Sequence, residues 1–164
     1  MTHQPIRLAL WLLLLCSLVS VGGCGFRLQG QVPLAGNLRV IDVQAVDGQS
    51  DFVRAIRRNL RSAGVTLDAG APAVLAIERD ELLERVASVS ARNVPREYEL
   101  TYVVRFSFKV GEERRVQGEE VSVSRDFSFD ERAALAKDRE REQLRMTLAE
   151  EAAVVVLQRL ASLR

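Results

Sequence analysis

Histidine and cysteine are nearly missing from this chain. Its 164 residues hold one histidine, His3, and two cysteines, Cys16 and Cys24. All three lie at the N-terminal end, so the rest of the chain has neither imidazole nor thiol. That excludes a histidine general base, a Ser-His-Asp triad and a zinc centre of His or Cys ligands, and no cofactor is expected. A surplus of one charge sign is missing too: 23 basic residues face 22 acidic ones, for a net charge of +1. Binding to nucleic acid calls for a basic surplus, so no nucleic-acid partner is expected. Lysine is scarce; Lys109 and Lys137 are the only two, and arginine supplies the remaining positive charge. Arginine forks suit phosphate and carboxylate. The same bias follows from a GC-rich genome, so composition leaves both readings open.

The long apolar run sits at the N-terminus. Residues 8–15 are apolar throughout, Arg7 precedes them, and Val21-Gly22-Gly23-Cys24 follows. The stretch 8–21 is short for a membrane span of roughly 20 residues. It is also broken by Ser17, Ser20 and the glycine pair. It reads as a secretory signal over 1–23. The small residues before Cys24 resemble a bacterial lipobox, in which the cysteine thiol takes a diacylglyceryl group and becomes the new N-terminus. Cys24 is the expected lipidation site, and 24–164 the expected single domain on a lipidated tether; about 140 residues suit one domain. Loss of Cys16 with the signal leaves no disulfide within one mature chain. Two or more acyl chains make a stable anchor. Gly25 stands where an aspartate retains enteric lipoproteins in the inner membrane, which agrees with sorting to the outer one.

Alternating and helical patterns divide the remainder. Residues 38–46 read as a strand. Ser50 is a suitable helix N-cap, Asp51 opposes the dipole in the first turn, and Phe52, Val53, Ile56 and Leu60 form an apolar stripe. Gly64 is the expected left-handed stop. The opposite side carries Arg54, Arg57, Arg58 and Arg61, a face that suits solvent, phosphate or an acidic partner. Residues 65–67 are a short strand candidate, and 68–72 a turn. The stretch 73–90 mixes extended and helical signals and is read as one long strand, because the next segment needs a partner.

That next segment alternates most clearly. Tyr98, Leu100, Tyr102, Val104, Phe106, Phe108 and Val110 share one side; polar residues fill the other, with Val103 the exception. One face is buried and one is wet. Residues 111–114 form a hairpin tip, and Val121, Val123, Phe127 and Phe129 mark the return strand. Arg125 occupies an inward phase there, which predicts a bulge or a wet rim. A charged stretch, 130–142, leads into a long helix with Leu144, Leu148, Ala152, Val155, Val156 and Leu160 facing inward. Two helices on one face of a mostly antiparallel sheet make an α+β two-layer sandwich. The first strand-helix-strand unit adds a parallel pair, so the sheet is mixed. The acids fall mostly on outward positions, which disfavours a carboxylate hydrolase.

Several segments together resemble the LptE family of lipopolysaccharide-assembly lipoproteins. Cys24-Gly25-Phe26-Arg27-Leu28 is similar to the start of the mature family members. Glu97-Tyr98-Glu99-Leu100 is similar to the opening of their central strand. Phe127-Ser128-Phe129-Asp130, followed by Ala134-Leu135-Ala136-Lys137-Asp138-Arg139-Glu140, is similar to their entry into the last helix. The resemblance implies two helices on a four-stranded mixed sheet and no enzymatic activity. It implies a partner, the β-barrel LptD, which the protein plugs and helps to assemble. It further implies binding of lipopolysaccharide during transport to the outer leaflet, through Lys137 and through Arg92 of an Arg92-Asn93 pair. The implied location is the outer membrane, lipid-anchored and facing the periplasm within the barrel lumen. The alternative is a free-standing periplasm-facing lipoprotein that binds an amphipathic ligand in a cleft.

Overall fold

The computed structural model describes residues 38–91, 94–128 and 134–163, all within the compact unit Gln31–Arg164. Three long strands form its backbone: β3 (Ala73–Val89), β4 (Pro95–Val110) and β5 (Glu113–Ser128). They pair antiparallel, in sequence order. Ahead of them come β1 (Val40–Ala45), helix α1 (Asp51–Ser62) and the two-residue β2 (Thr66–Leu67). β1 lies parallel to both β3 and β2, giving the order β2-β1-β3-β4-β5. The sheet is therefore mixed, as expected, but has five strands rather than four. The fifth is β2, which falls within the short strand candidate at 65–67 and lies beyond the four strands that the family resemblance implies. Helix α2 (Ala134–Ser162) closes the fold.

Helix α1 forms where its caps say it should. Ser50 Oγ accepts the Val53 N–H at 3.1 Å, filling one of the orphan donors of the first turn. At the other end the Val65 N–H bonds the Leu60 carbonyl and the Gly64 N–H bonds that of Arg61, each at 3.0 Å. Gly64 has φ 83°, so the helix ends in a Schellman motif.

Both helices cover the face that carries the alternating stripe. Ile41, Phe52, Ile56, Leu60, Leu75, Leu100, Phe106, Phe108, Leu148 and Leu160 are all 1% exposed or less. Burial of such a side chain contributes about 1.5–3 kcal/mol, and this cluster is the main source of stability. Along α2 the buried stripe runs Leu148, Ala149, Ala152, Ala153, Val156, Leu157 and Leu160. Val155, expected inside, is 39% exposed. It sits beside Val156 in a run of three valines, which carries no phase of its own.

Strand β3 explains its own mixed signal. Ala73, Leu75 and Ile77 point into the core. The pairing then shifts between Ile77 and Arg79, so Glu78 is the extra residue of a bulge. From there Asp80, Leu82, Glu84 and Val86 stand opposite Val104, Tyr102, Leu100 and Tyr98, on the helix side. The period of two survives, but its phase reverses at Glu78. On the other side of β4 the register with β5 shifts between Phe106 and Phe108. Gly118, with φ 56°, accommodates that second bulge, and its N–H donates to Ser107 Oγ at 2.8 Å. No register shift occurs at Arg125. Of the two outcomes expected there the wet rim is correct: Arg125 reaches Glu151 of α2 at 2.7 Å.

Candidate functional site

At its far end the three-stranded ribbon passes beneath the first turns of α2. Phe127 of β5 stands opposite Tyr98 of β4 and is 4% exposed. Lys137, one turn into α2, places Nζ 5.2 Å from the centroid of the Phe127 ring. The same Nζ donates to Glu140 Oε2 at 2.8 Å. The lysine side chain is only 18% exposed, against 51% for its carboxylate partner. A cation over an aromatic face and partly out of water gains about 0.5–2 kcal/mol; an exposed ion pair adds about 0–1 kcal/mol. The ring therefore fixes the ammonium, while Glu140 can be displaced by another anion at little cost.

Beside this contact lies a cavity of about 250 Å³, lined by Glu84, Tyr98, Phe127, Asp138 and Arg141. Arg141 spans it, donating to Glu84 at 3.2 Å and to Asp138 at 3.3 Å. One wall is aromatic and the other is charged, a lining suited to an amphipathic molecule. Arg92 and Cys24, the other two expected site residues, lie outside the described residues, as does Asn93. Ser90 and Val94, on either side of that pair in the sequence, are described. The Ser90 N–H bonds the Val94 carbonyl at 2.8 Å, and Ser90 Oγ accepts the Val94 N–H at 3.2 Å. These bonds lie at the same end of the ribbon as Phe127.

A second polar group sits between the layers. Ser50 Oγ and the Tyr102 hydroxyl both donate to Asp80, which the bulge has turned toward the helices. Burial and the Asp80 carboxylate push the Tyr102 hydroxyl well above the usual tyrosine pKa. Asp51, 8% exposed, bonds Arg54 through one oxygen; its other oxygen lies 2.6 Å from Arg145 of α2. This cluster ties α1, α2, β3 and β4 together and is a fastening rather than a binding site.

Three of the four arginines on the exposed face of α1 bond to the protein itself, while Arg61 stands exposed. Arg54 reaches Asp51 and the Gln49 carbonyl. Arg57 donates to the carbonyls of Gly48 and Val43, and Arg58 to Glu150 of α2 at 2.6 Å. The i, i+3, i+4, i+7 spacing of the four arginines marks the face, but apart from Asp51 their acceptors come from outside the helix and have no sequence signal. Among the described residues no three His, Cys, Asp or Glu side chains converge to hold a metal. No helix among them is long and apolar enough to cross a membrane.

Comparison with known proteins adds the family. A family model described as LptE, lipopolysaccharide-assembly, matches residues 38–160. The chain is 29% identical over 166 residues to the LPS-assembly lipoprotein LptE of Yersinia enterocolitica, spanning 98% of this chain and 77% of that protein. It is 27% identical over 169 residues to the LPS-assembly lipoprotein LptE of Pectobacterium atrosepticum, spanning 99% and 88%. Among solved structures, the rare lipoprotein B of Shewanella oneidensis aligns with a TM-score of 0.68 at 30% identity, over 75% of this chain and 94% of that one. An uncharacterized lipoprotein B of Nitrosomonas europaea gives a TM-score of 0.70 at 21% identity, over 84% and 91%; that likeness speaks for the fold alone.

Proposed function

The chain belongs to the LptE family of lipopolysaccharide-assembly lipoproteins, and from that premise we propose that it plugs the β-barrel LptD, assists its assembly and binds lipopolysaccharide on the way to the outer leaflet. The family is non-enzymatic and works in the cell envelope. In this reading residues 1–23 are removed and Cys24 carries the lipid that holds the domain to the outer membrane. A wide barrel has a polar lumen, and a plug for it needs a charged exterior of both signs. The domain has one: the long strands and α2 carry ion pairs such as Arg85–Glu99, Arg125–Glu151 and Arg159–Glu119.

Lys137 over Phe127 is the observation that carries the ligand half of the proposal. Lipopolysaccharide holds phosphates and acidic sugars bridged by divalent cations. A fixed ammonium beside an amphipathic cavity competes with those cations for one phosphate. Each charge-assisted hydrogen bond so formed contributes about 1.5–3 kcal/mol. Arg92 is the second contact in this reading.

The test is Lys137→Glu in the full chain. Lipopolysaccharide binding falls about tenfold or more, the equivalent of about 1.4 kcal/mol, while barrel association is kept and stability falls by no more than the lost Phe127 contact, about 0.5–2 kcal/mol. Unchanged lipopolysaccharide binding contradicts the proposal.

A further inference from the structure

The sheet face opposite the helices holds a second hollow, of about 390 Å³. Its floor is Val74 and Ala76 of β3, and Gln44 of β1 and Gln117 of β5 stand at its sides. Lys109 and Arg114 stand at its rim. These two are directly opposed cross-strand partners on β4 and β5, an arrangement that like charges disfavour.

The other opposed cations on this face are treated differently. Arg79 and Arg105 also face each other, across β3 and β4. Each is neutralised: Arg79 by Glu81, and Arg105 by Glu78 at 3.4 Å. Arg85, further along, sits on Glu99. The side chains of Lys109 and Arg114 make no hydrogen bond or ion pair among the described residues. Two of the neighbouring carboxylates are already engaged: Glu78 accepts from Ser107 and pairs with Arg105, and Glu113 pairs with Arg115 at 2.9 Å; Glu112, exposed in the hairpin turn, pairs with neither cation. Asp42 accepts from Gln44 and from the Gly70 N–H.

We infer that this hollow is an anion site that takes one phosphate group between Lys109 and Arg114, with the ester carbons of the ligand resting over Val74 and Ala76. Two cations left opposed and unneutralised supply the charge that a phosphate dianion requires, and Arg114 offers a fork for two of its oxygens. The site is separate from Lys137. It lies on the opposite face of the sheet, and from Tyr98 to Lys109 strand β4 runs roughly 36 Å. The inference stands whether or not Lys137 binds lipopolysaccharide, because its chemistry is that of a phosphate ester of either source, a phospholipid headgroup or a phosphorylated glycolipid.

The experiment compares the full chain with its Lys109→Gln/Arg114→Gln variant. Both side chains are exposed, and without ligand the variant melts at the same temperature as wild type or higher, since a like-charge contact is gone. Replacing chloride by inorganic phosphate at constant ionic strength raises the melting temperature of wild type and not of the variant. Vesicles of phosphatidylglycerol and micelles of purified lipopolysaccharide are then offered to both. The one that carries the natural phosphate binds wild type at least tenfold more tightly than the variant, which identifies the source. Equal phosphate stabilisation of the two proteins, or equal binding of both lipids, overturns the inference.

Discussion

The two halves of β3 belong to one strand but are held by different forces. Before the bulge, Ala73, Leu75 and Ile77 are 0–4% exposed and lie against α1 and the neighbouring strands. After it, Leu83, Val86 and Val89 are 45%, 48% and 52% exposed. There the strand is fastened by polar contacts instead: Asp80 to Ser50 and Tyr102, and Glu84 to Arg141. Burial resists opening because every displaced side chain meets water. Exposed ion pairs exchange one polar partner for another and resist little. The half that carries the candidate site is therefore the less deeply packed half, the low-stability end from which binding elements are drawn.

Truncation on either side of the bulge breaks the comparison if it is wrong. Leu75→Ala removes a fully buried side chain and destabilises the protein by about 2–5 kcal/mol. Val86→Ala, on the same strand, changes stability by about 0.5 kcal/mol or less. Urea unfolding of the two variants measures both. Equal losses would mean that the two halves share one regime.

The fastening at Asp80 has an intermediate effect. Asp80→Ala leaves the buried Tyr102 hydroxyl and Ser50 without their acceptor and costs about 1–3 kcal/mol. Its effect is sharpened by pH. The pKa of Tyr102 is raised in the fold, so its contribution is fully present below the free tyrosine value of about 10 and is lost as pH rises above that value. Tyr102→Phe has a smaller effect than Asp80→Ala, about 1 kcal/mol at neutral pH, and flattens the alkaline fall in melting temperature. A fall as steep in the variant as in wild type would assign it to other groups.

Much of the fold was legible because most elements carry their own signal. The stripe is buried from Leu100 to Phe108 as its alternation says, with Tyr98 and Val110 partly buried at its ends, and Ser50 and Gly64 bound α1 where expected. What the sequence hid has physical causes. The segment Glu81-Leu82-Leu83-Glu84-Arg85 has helical propensity and is a strand only because β4 pairs with it; tertiary pairing overrides propensity there. Glu78 reverses the phase of β3 without any glycine or proline to announce it. Val155 stands in an unphased run of valines. The candidate site was legible only in part. Lys137 came from family resemblance, whereas its contact with Phe127 arises from the docking of α2 over the end of β5. The opposed Lys109 and Arg114 depend on the register of a bulged hairpin, which no spacing in the sequence reveals.

Purification of the C-terminally tagged full chain from detergent-solubilised envelopes tests the central claim most directly. The account predicts recovery of a β-barrel partner of much larger mass in equal molar amount, with lipopolysaccharide present in the complex. Recovery of the chain alone, with no barrel and no lipopolysaccharide, would contradict it.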